Sequence, residues 1–195
     1  MAFLSEMTSN ELGPNSKAGE RLEKIATGSR QAIRSLEEIV WAVNPRKDSL
    51  PDFSDFLSHY ANEFFRATEI RCRQDLPLMI PDIPLSSEVR HHLFLACKET
   101  LNNIHKHAAA TEVWLRMKLA GSQLEVTIED NGRGIQEPPP TAGGNGLLNL
   151  QARLAAIGGQ CQVKSRASGG TSVSFVVNLP DGLPEKTFLT SPQQT

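Results

Sequence analysis

Hydrophobic positions divide the chain into two regimes. From residue 22 to 43 apolar residues recur by threes and fours: Leu22, Ile25, Ser29, Ala32, Leu36, Ile39 and Val43 form one stripe, with Ala26, Ile33 and Val40 beside it. That spacing predicts a long helix whose apolar face is wider than a two-stranded seam and suits a helical bundle. Asn44-Pro45 ends it, and Gly13-Pro14-Asn15 predicts a turn after a short helical stub. One helix and a stub do not close a bundle, so the partners come from another chain or further sequence; the alternative is a lone helix lying on its own domain.

Past residue 50 the period alternates. A helix is predicted over 53–67, a short strand over 70–73, and a long helix over 87–107 with Leu93, Ala96, Cys97, Leu101 and Ile104 inward. Two period-two strands follow, carrying Val113, Leu115, Met117 and Leu119, then Leu124, Val126 and Ile128, about a turn at Gly121-Ser122. A Gly/Pro-rich loop spans 131–145. A helix over 147–157 and strands over 160–165 and 171–179 complete the pattern. The implied fold is α+β: a two-layer sandwich with a mixed, mostly antiparallel sheet and helices on one face.

The chain has 195 residues, enough for one sizeable domain with an appendage. Its 20 Lys+Arg and 22 Asp+Glu give a net charge of −2, which argues against direct nucleic-acid binding. Cys72, Cys97 and Cys161 are odd in number and form no CxxC pair, against a disulfide framework or structural zinc. No apolar run reaches the roughly 18 residues of a membrane span, and the N-terminus lacks the marks of a signal peptide. The reading is a cytoplasmic chain, or the cytoplasmic portion of a membrane-anchored sensor.

Four features carry chemistry. Asp130 continues the inward phase of Leu124, Val126 and Ile128, and an inward carboxylate requires donors. Gly132 and Gly134 let backbone approach a bound group, so the set suits an exocyclic amine such as that of adenine; a plain hairpin turn is the alternative for Asp-Asn-Gly. Glu99, Asn103 and Lys106 share one helical stripe: a general base, a neutral oxygen ligand for Mg2+ and a phosphate counter-charge, or simply a solvated face. Gly143-Gly144-Asn145-Gly146-Leu147 opens a helix and reads as an anion cradle or as a flexible linker. Thr171, after Gly169-Gly170, is in phase with Val173, Phe175 and Val177, so its hydroxyl faces inward near Asp130, or is an ordinary core hydroxyl.

In order and spacing, Glu99…Asn103, Asp130-Asn131-Gly132-Arg133-Gly134, Gly144-Asn145-Gly146-Leu147 and Gly170-Thr171 resemble the boxes of the GHKL ATPase superfamily over about residues 85–180. Lys98-Glu99-Thr100-Leu101-Asn102-Asn103-Ile104-His105-Lys106-His107-Ala108 and Asn145-Gly146-Leu147-Leu148-Asn149-Leu150-Gln151-Ala152-Arg153-Leu154 are similar to sensor histidine kinases of the nitrate-sensor/DesK-like group. Leu36-Glu37-Glu38-Ile39-Val40-Trp41-Ala42-Val43-Asn44-Pro45 is similar to the end of that group's dimerisation and phosphotransfer hairpin.

The resemblance implies an ATP-dependent protein-histidine kinase of a two-component phosphorelay. Residues 1–47 would be part of the hairpin, 48–180 the catalytic ATP-binding domain in the Bergerat fold, and 181–195 a flexible tail. Asp130 would bind adenine, with Thr171 nearby, and Asn103 would ligate Mg2+. Glu99 would assist phosphoryl transfer, and Lys106 and His107 would approach phosphates or ribose. Gly132, Gly134, Gly144, Gly146 and Leu147 would shape the nucleotide site and its lid. Expected partners are a second copy through the helical bundle, a response regulator and an acceptor hairpin.

One departure stands out. The family's phosphoacceptor is a His followed by an acid on the first hairpin helix, whereas none of His59, His91, His92, His105 and His107 precedes Asp or Glu. The expectation is that the chain begins downstream of its acceptor and cannot phosphorylate itself. Competing readings are a non-kinase ATPase of the same superfamily and a nucleotide-binding or dimerisation module without turnover.

Overall fold

The computed structural model describes residues 17–43, 48–135 and 146–180. The expected turn at 13–15, the Asn44-Pro45 stop, most of the Gly/Pro loop and the 181–195 tail lie outside the described residues. The chain divides into two units, Met1–Asn44 and Pro45–Thr195. In the first, helix α1 (Lys17–Val43) buries Ala26, while Ile25, Leu36 and Val40 are 52, 61 and 62% exposed.

The second unit begins with α2 (Leu50–Phe65). Ser49 caps it, accepting from Asp52 N, and proline sits in its first turn, where no intrahelical donor is lost. Strand β1 (Arg71–Asp75) is displaced by one or two residues from its expected place. Helix α3 (Ser87–Asn103) follows, capped by Ser86, whose hydroxyl accepts from Val89 N at 3.3 Å. Ser86→Ala is expected to cost about 1 kcal/mol and to lower the unit's melting temperature by about 2–4 °C in a calorimetric scan.

α3 passes into a π-helical turn over Ile104–Ala108, and Ala109 adopts a left-handed conformation (φ 50°). Strands β2 (Glu112–Ala120) and β3 (Gln123–Asp130) form a hairpin about Gly121 (φ 59°). Helix α4 (Gly146–Ala156) precedes β4 (Gln160–Ser165) and β5 (Thr171–Asn178).

The sheet order is β1-β2-β3-β5-β4, with β1 parallel to β2 and every other pair antiparallel. Its inward face is built in rows: Leu115, Ile128 and Val173 lie abreast, as do Met117, Val126 and Phe175. These six are buried, together with Leu93, Ala96, Cys97 and Leu101 of α3 and Leu150 and Leu154 of α4. Burial of each large side chain contributes roughly 1.5–3 kcal/mol. Phe94 packs edge-on against Phe56 and Tyr60 of α2, each centroid 5.0 Å away, which joins α2 to α3. The α+β sandwich expected from periodicity is the fold observed.

The segment entering this unit is pinned. Leu85 N donates to Asp48 O at 2.8 Å and Leu50 N to Ile83 O at 2.9 Å. Arg90 of α3, wholly buried, pairs with Asp48 through Nη2 and Oδ1 at 2.7 Å.

Candidate functional site

Asp130 closes β3 at an inward position and is 2% exposed. Its Oδ1 accepts from Gly132 N at 2.8 Å, which orients the carboxylate through the turn that follows. The turn is held on both sides. Arg133 N donates to Ala108 O at 2.8 Å, and Asn131 Oδ1 accepts from Thr111 N and Glu112 N, both at 2.9 Å.

Two glycines are sterically required around this carboxylate. A Cβ on Gly132 would lie 2.1 Å from Ala108 O. A Cβ on Gly170 would lie 1.9 Å from Asp130 O, and its φ of +86° already excludes most side chains. Gly134 also has a positive φ, 75°, and sits against Gly170. The Asp130, Gly132, Gly134 and Gly170 set is thus one packed cluster. Thr171 lies on the sheet face that carries Val173 and Asp130, but at the strand start it is half-buried rather than core.

The second cluster is on α3. Glu99 and Asn103 lie one turn apart, and Gly146 approaches both. A Cβ there would stand 3.5 Å from Glu99 Oε1 and 3.7 Å from Asn103 Nδ2. The first residue of α4 therefore meets the Glu99/Asn103 pair, and the helix N-terminus brings free backbone donors to it. A groove of about 170 Å3 runs alongside, lined by Leu95, Lys98, Glu99, Asn102, Asn149 and Arg153. A carboxylate beside an amide oxygen fits a hard cation that keeps phosphate and water ligands. Among the described residues no group of three or more His, Cys, Asp or Glu is placed to hold a metal unaided.

Lys106 departs from the expected stripe, and His107 follows it in the same π turn. In an α-helix Lys106 would align with Glu99 and Asn103. The π turn winds more residues per turn, so Lys106 is rotated off that line. Both side chains are exposed, just ahead of Ala108 and the Gly132 turn. Gly144, and the side chain of Leu147, lie outside the described residues.

Periodicity gave no warning of Arg166. Its Nη1 donates to Asp130 O at 2.8 Å from the β4–β5 turn, on the sheet face opposite the helices. Glu129 there pairs with Arg116 and accepts from Ser172 Oγ at 3.3 Å. Burial alone would raise the Glu129 carboxyl; the hydrogen bond and charge of Arg116, the charge of Arg166 and the Ser172 hydroxyl outweigh it and hold it below its ordinary value.

Residues 88–181 match the histidine kinase-, DNA gyrase B- and HSP90-like ATPase family. The chain carries a histidine-kinase-type ATPase domain of the GHKL superfamily. This GHKL domain covers both clusters. Over 113 residues, 58% of its length, the chain is 34% identical to the nitrate/nitrite sensor protein NarX of Escherichia coli K12. Over 167 residues, 84% of the chain, identity to the signal transduction histidine-protein kinase/phosphatase UhpB of Salmonella typhimurium is 32%. The matched regions are 18% of NarX and 31% of UhpB, so the chain corresponds to a minor part of each. The histidine kinase domain of the Erythrobacter litoralis EL346 blue-light activated kinase superposes with a TM-score of 0.57 at 22% identity, covering 91% of this chain and 94% of that one. It shares the fold. Among the described residues no helix is long and apolar enough to cross a membrane.

Proposed function

We propose that the GHKL domain binds Mg-ATP and transfers the γ-phosphoryl group to a histidine on a helical hairpin, for onward transfer to a response regulator. The buried, glycine-walled Asp130 carries the reading. A carboxylate oriented by the Gly132 N–H beside a turn that admits no side chain is suited to accept from the adenine amine. Thr171, on the same face, borders that end.

The Glu99/Asn103/Gly146 cluster serves the triphosphate end. Asn103 would hold Mg2+ through its amide oxygen. The ion, when bound, neutralises phosphate charge. Glu99 acts as the base toward the attacking imidazole, and Lys106 and His107 border the phosphates or ribose from the π turn. Phosphoryl transfer relies mainly on positioning and charge, which this set supplies.

No histidine in the chain is followed by an acid, so the test supplies the acceptor histidine in trans. The exposed Ile25, Leu36 and Val40 of α1 lie along one helical stripe, which supports pairing with a second copy in a helical bundle.

The test supplies γ-labelled ATP, Mg2+ and an acceptor hairpin carrying the histidine. Label on the hairpin is expected. Hydrolysis without transfer would instead favour a non-kinase ATPase, and binding without either a nucleotide-binding module. Glu99→Gln is expected to leave ATP affinity unchanged and slow transfer about 10²–10⁴-fold. Asn103→Ala is expected to remove the Mg2+ dependence of binding in a titration with and without the ion. Full-rate transfer by the first variant, or normal Mg2+ dependence in the second, would remove that residue's role.

A further inference from the structure

The β3–β5 ladder ends at the pair Glu129 and Ser172, so the carbonyl of Asp130 lies past its last pair. The turn between β4 and β5 reaches this point. Arg166 N donates to Gly170 O at 3.0 Å and Gly169 N returns to Arg166 O at 3.1 Å, closing the turn on itself. From it the Arg166 side chain crosses the outer sheet face, and Nη1 donates to Asp130 O at 2.8 Å. Its Nη2 stands 3.8 Å from Glu129 Oε2, and its guanidinium carbon lies 5.1 Å from the Trp114 ring centroid.

We infer that Arg166 is a positioning residue for purine selectivity, setting the Asp130 carboxylate from the far side of the sheet. The inference rests on the reading of Asp130 as the adenine contact. Beyond its pairing with Val113 of β2, Asp130 is held by the Gly132 N–H on its carboxylate and the Arg166 guanidinium on its carbonyl. The second, with the Asn131 N–H that donates to Glu112 O at 3.3 Å, fixes the peptide plane that follows Asp130, and so the direction from which the Gly132 N–H arrives. Gly170, pressed against the same carbonyl, leaves that plane little room to rotate.

An arginine suits this place because three contacts act on one planar group. It donates to a carbonyl, faces a carboxylate and lies over an indole. A lysine offers a point charge and a donor but no plane to stack. Glu129 and Trp114 lie opposite each other in the β2–β3 register, so the hairpin forms a seat for the guanidinium.

The test compares the affinities of the full chain for ATP and for inosine triphosphate, in which a carbonyl stands where adenine carries its amine. In Arg166→Met the preference for ATP is expected to fall about tenfold, with inosine triphosphate affinity within about twofold of wild type. Arg166→Lys is expected to restore part of the preference, because the donor to the carbonyl remains. Glu129→Gln loosens the seat only and is expected to produce a smaller loss. Melting temperatures identify any variant that fails to fold, and the Lys and Gln variants keep the comparison open in that case. An unchanged preference in Arg166→Met, with the preference lost in Asp130→Asn, would overturn the inference and leave the adenine contact standing. Equal loss of both nucleotides would also overturn it, since that marks a structural role. An unchanged preference in Asp130→Asn would remove the adenine reading, and this inference with it.

Discussion

Asp130→Asn is expected to weaken ATP binding by about 10²–10⁴-fold while the protein stays folded. The substitution keeps shape and an oxygen that can still accept from Gly132 N, the contact that orients the group at 2.8 Å. What changes is the second atom, which becomes a donor. In the proposed site that donor meets the adenine amine, so two donors face each other in a position only 2% exposed. Losing a charge-assisted hydrogen bond costs about 1.5–3 kcal/mol, and the mismatched buried pair adds about 1–3 kcal/mol. The sum corresponds to the stated range at about 1.4 kcal/mol per tenfold. Calorimetric titration with a parallel melting curve checks it. Wild-type affinity in the folded variant would exclude Asp130 as the adenine contact.

Gly170→Ala is expected to damage the fold itself, by about 3–4 kcal/mol or roughly 10 °C in melting temperature. The left-handed backbone at φ +86° costs an alanine about 1–2 kcal/mol. The added methyl also falls 1.9 Å from Asp130 O and must displace a strand end fixed by β2, β5 and Arg166. Relaxation there moves the carboxylate, so ATP affinity should fall together with stability. Gly28 in α1 is the control. A Cβ there meets nothing within 4 Å, so Gly28→Ala should stabilise its helix by up to about 1 kcal/mol. Chemical denaturation of both variants separates the two cases. A melting temperature for Gly170→Ala within 2 °C of wild type would show that the strand end yields freely.

These outcomes differ in how far they were legible in the sequence. Strict alternation in β3 placed Asp130 inward, and the structure buries it beside Leu124, Val126 and Ile128. Amphipathic spacing in α3 likewise gave the buried Leu93, Ala96, Cys97, Leu101 and Ile104. Where a residue's environment is set by its own strand or helix, the pattern suffices. Lys106 shows the limit. Ile104 and Ala108, both buried, fit an α-helix as well as a π turn. A remote contact, the bond from Arg133 N to Ala108 O, holds the end of the π turn, and no local period encodes it. Leu119, expected inward with Met117, is only half-buried because it sits near the hairpin end. Arg166 and the Asp48–Arg90 pair depend on residues 36 and 42 positions away, and no local period encodes them.

The strand order also has a consequence for synthesis. β5, the last strand among the described residues, lies between β3 and β4 rather than at an edge. A chain emerging from the ribosome therefore exposes the inner edge of β3 and an unpaired β4 until β5 arrives. Gly170 and Arg166, the supports behind Asp130, arrive with the same segment. At the proposed site ATP would stabilise the finished sheet by mass action, and the non-local closure of β5 sets when the supports behind Asp130 come into being.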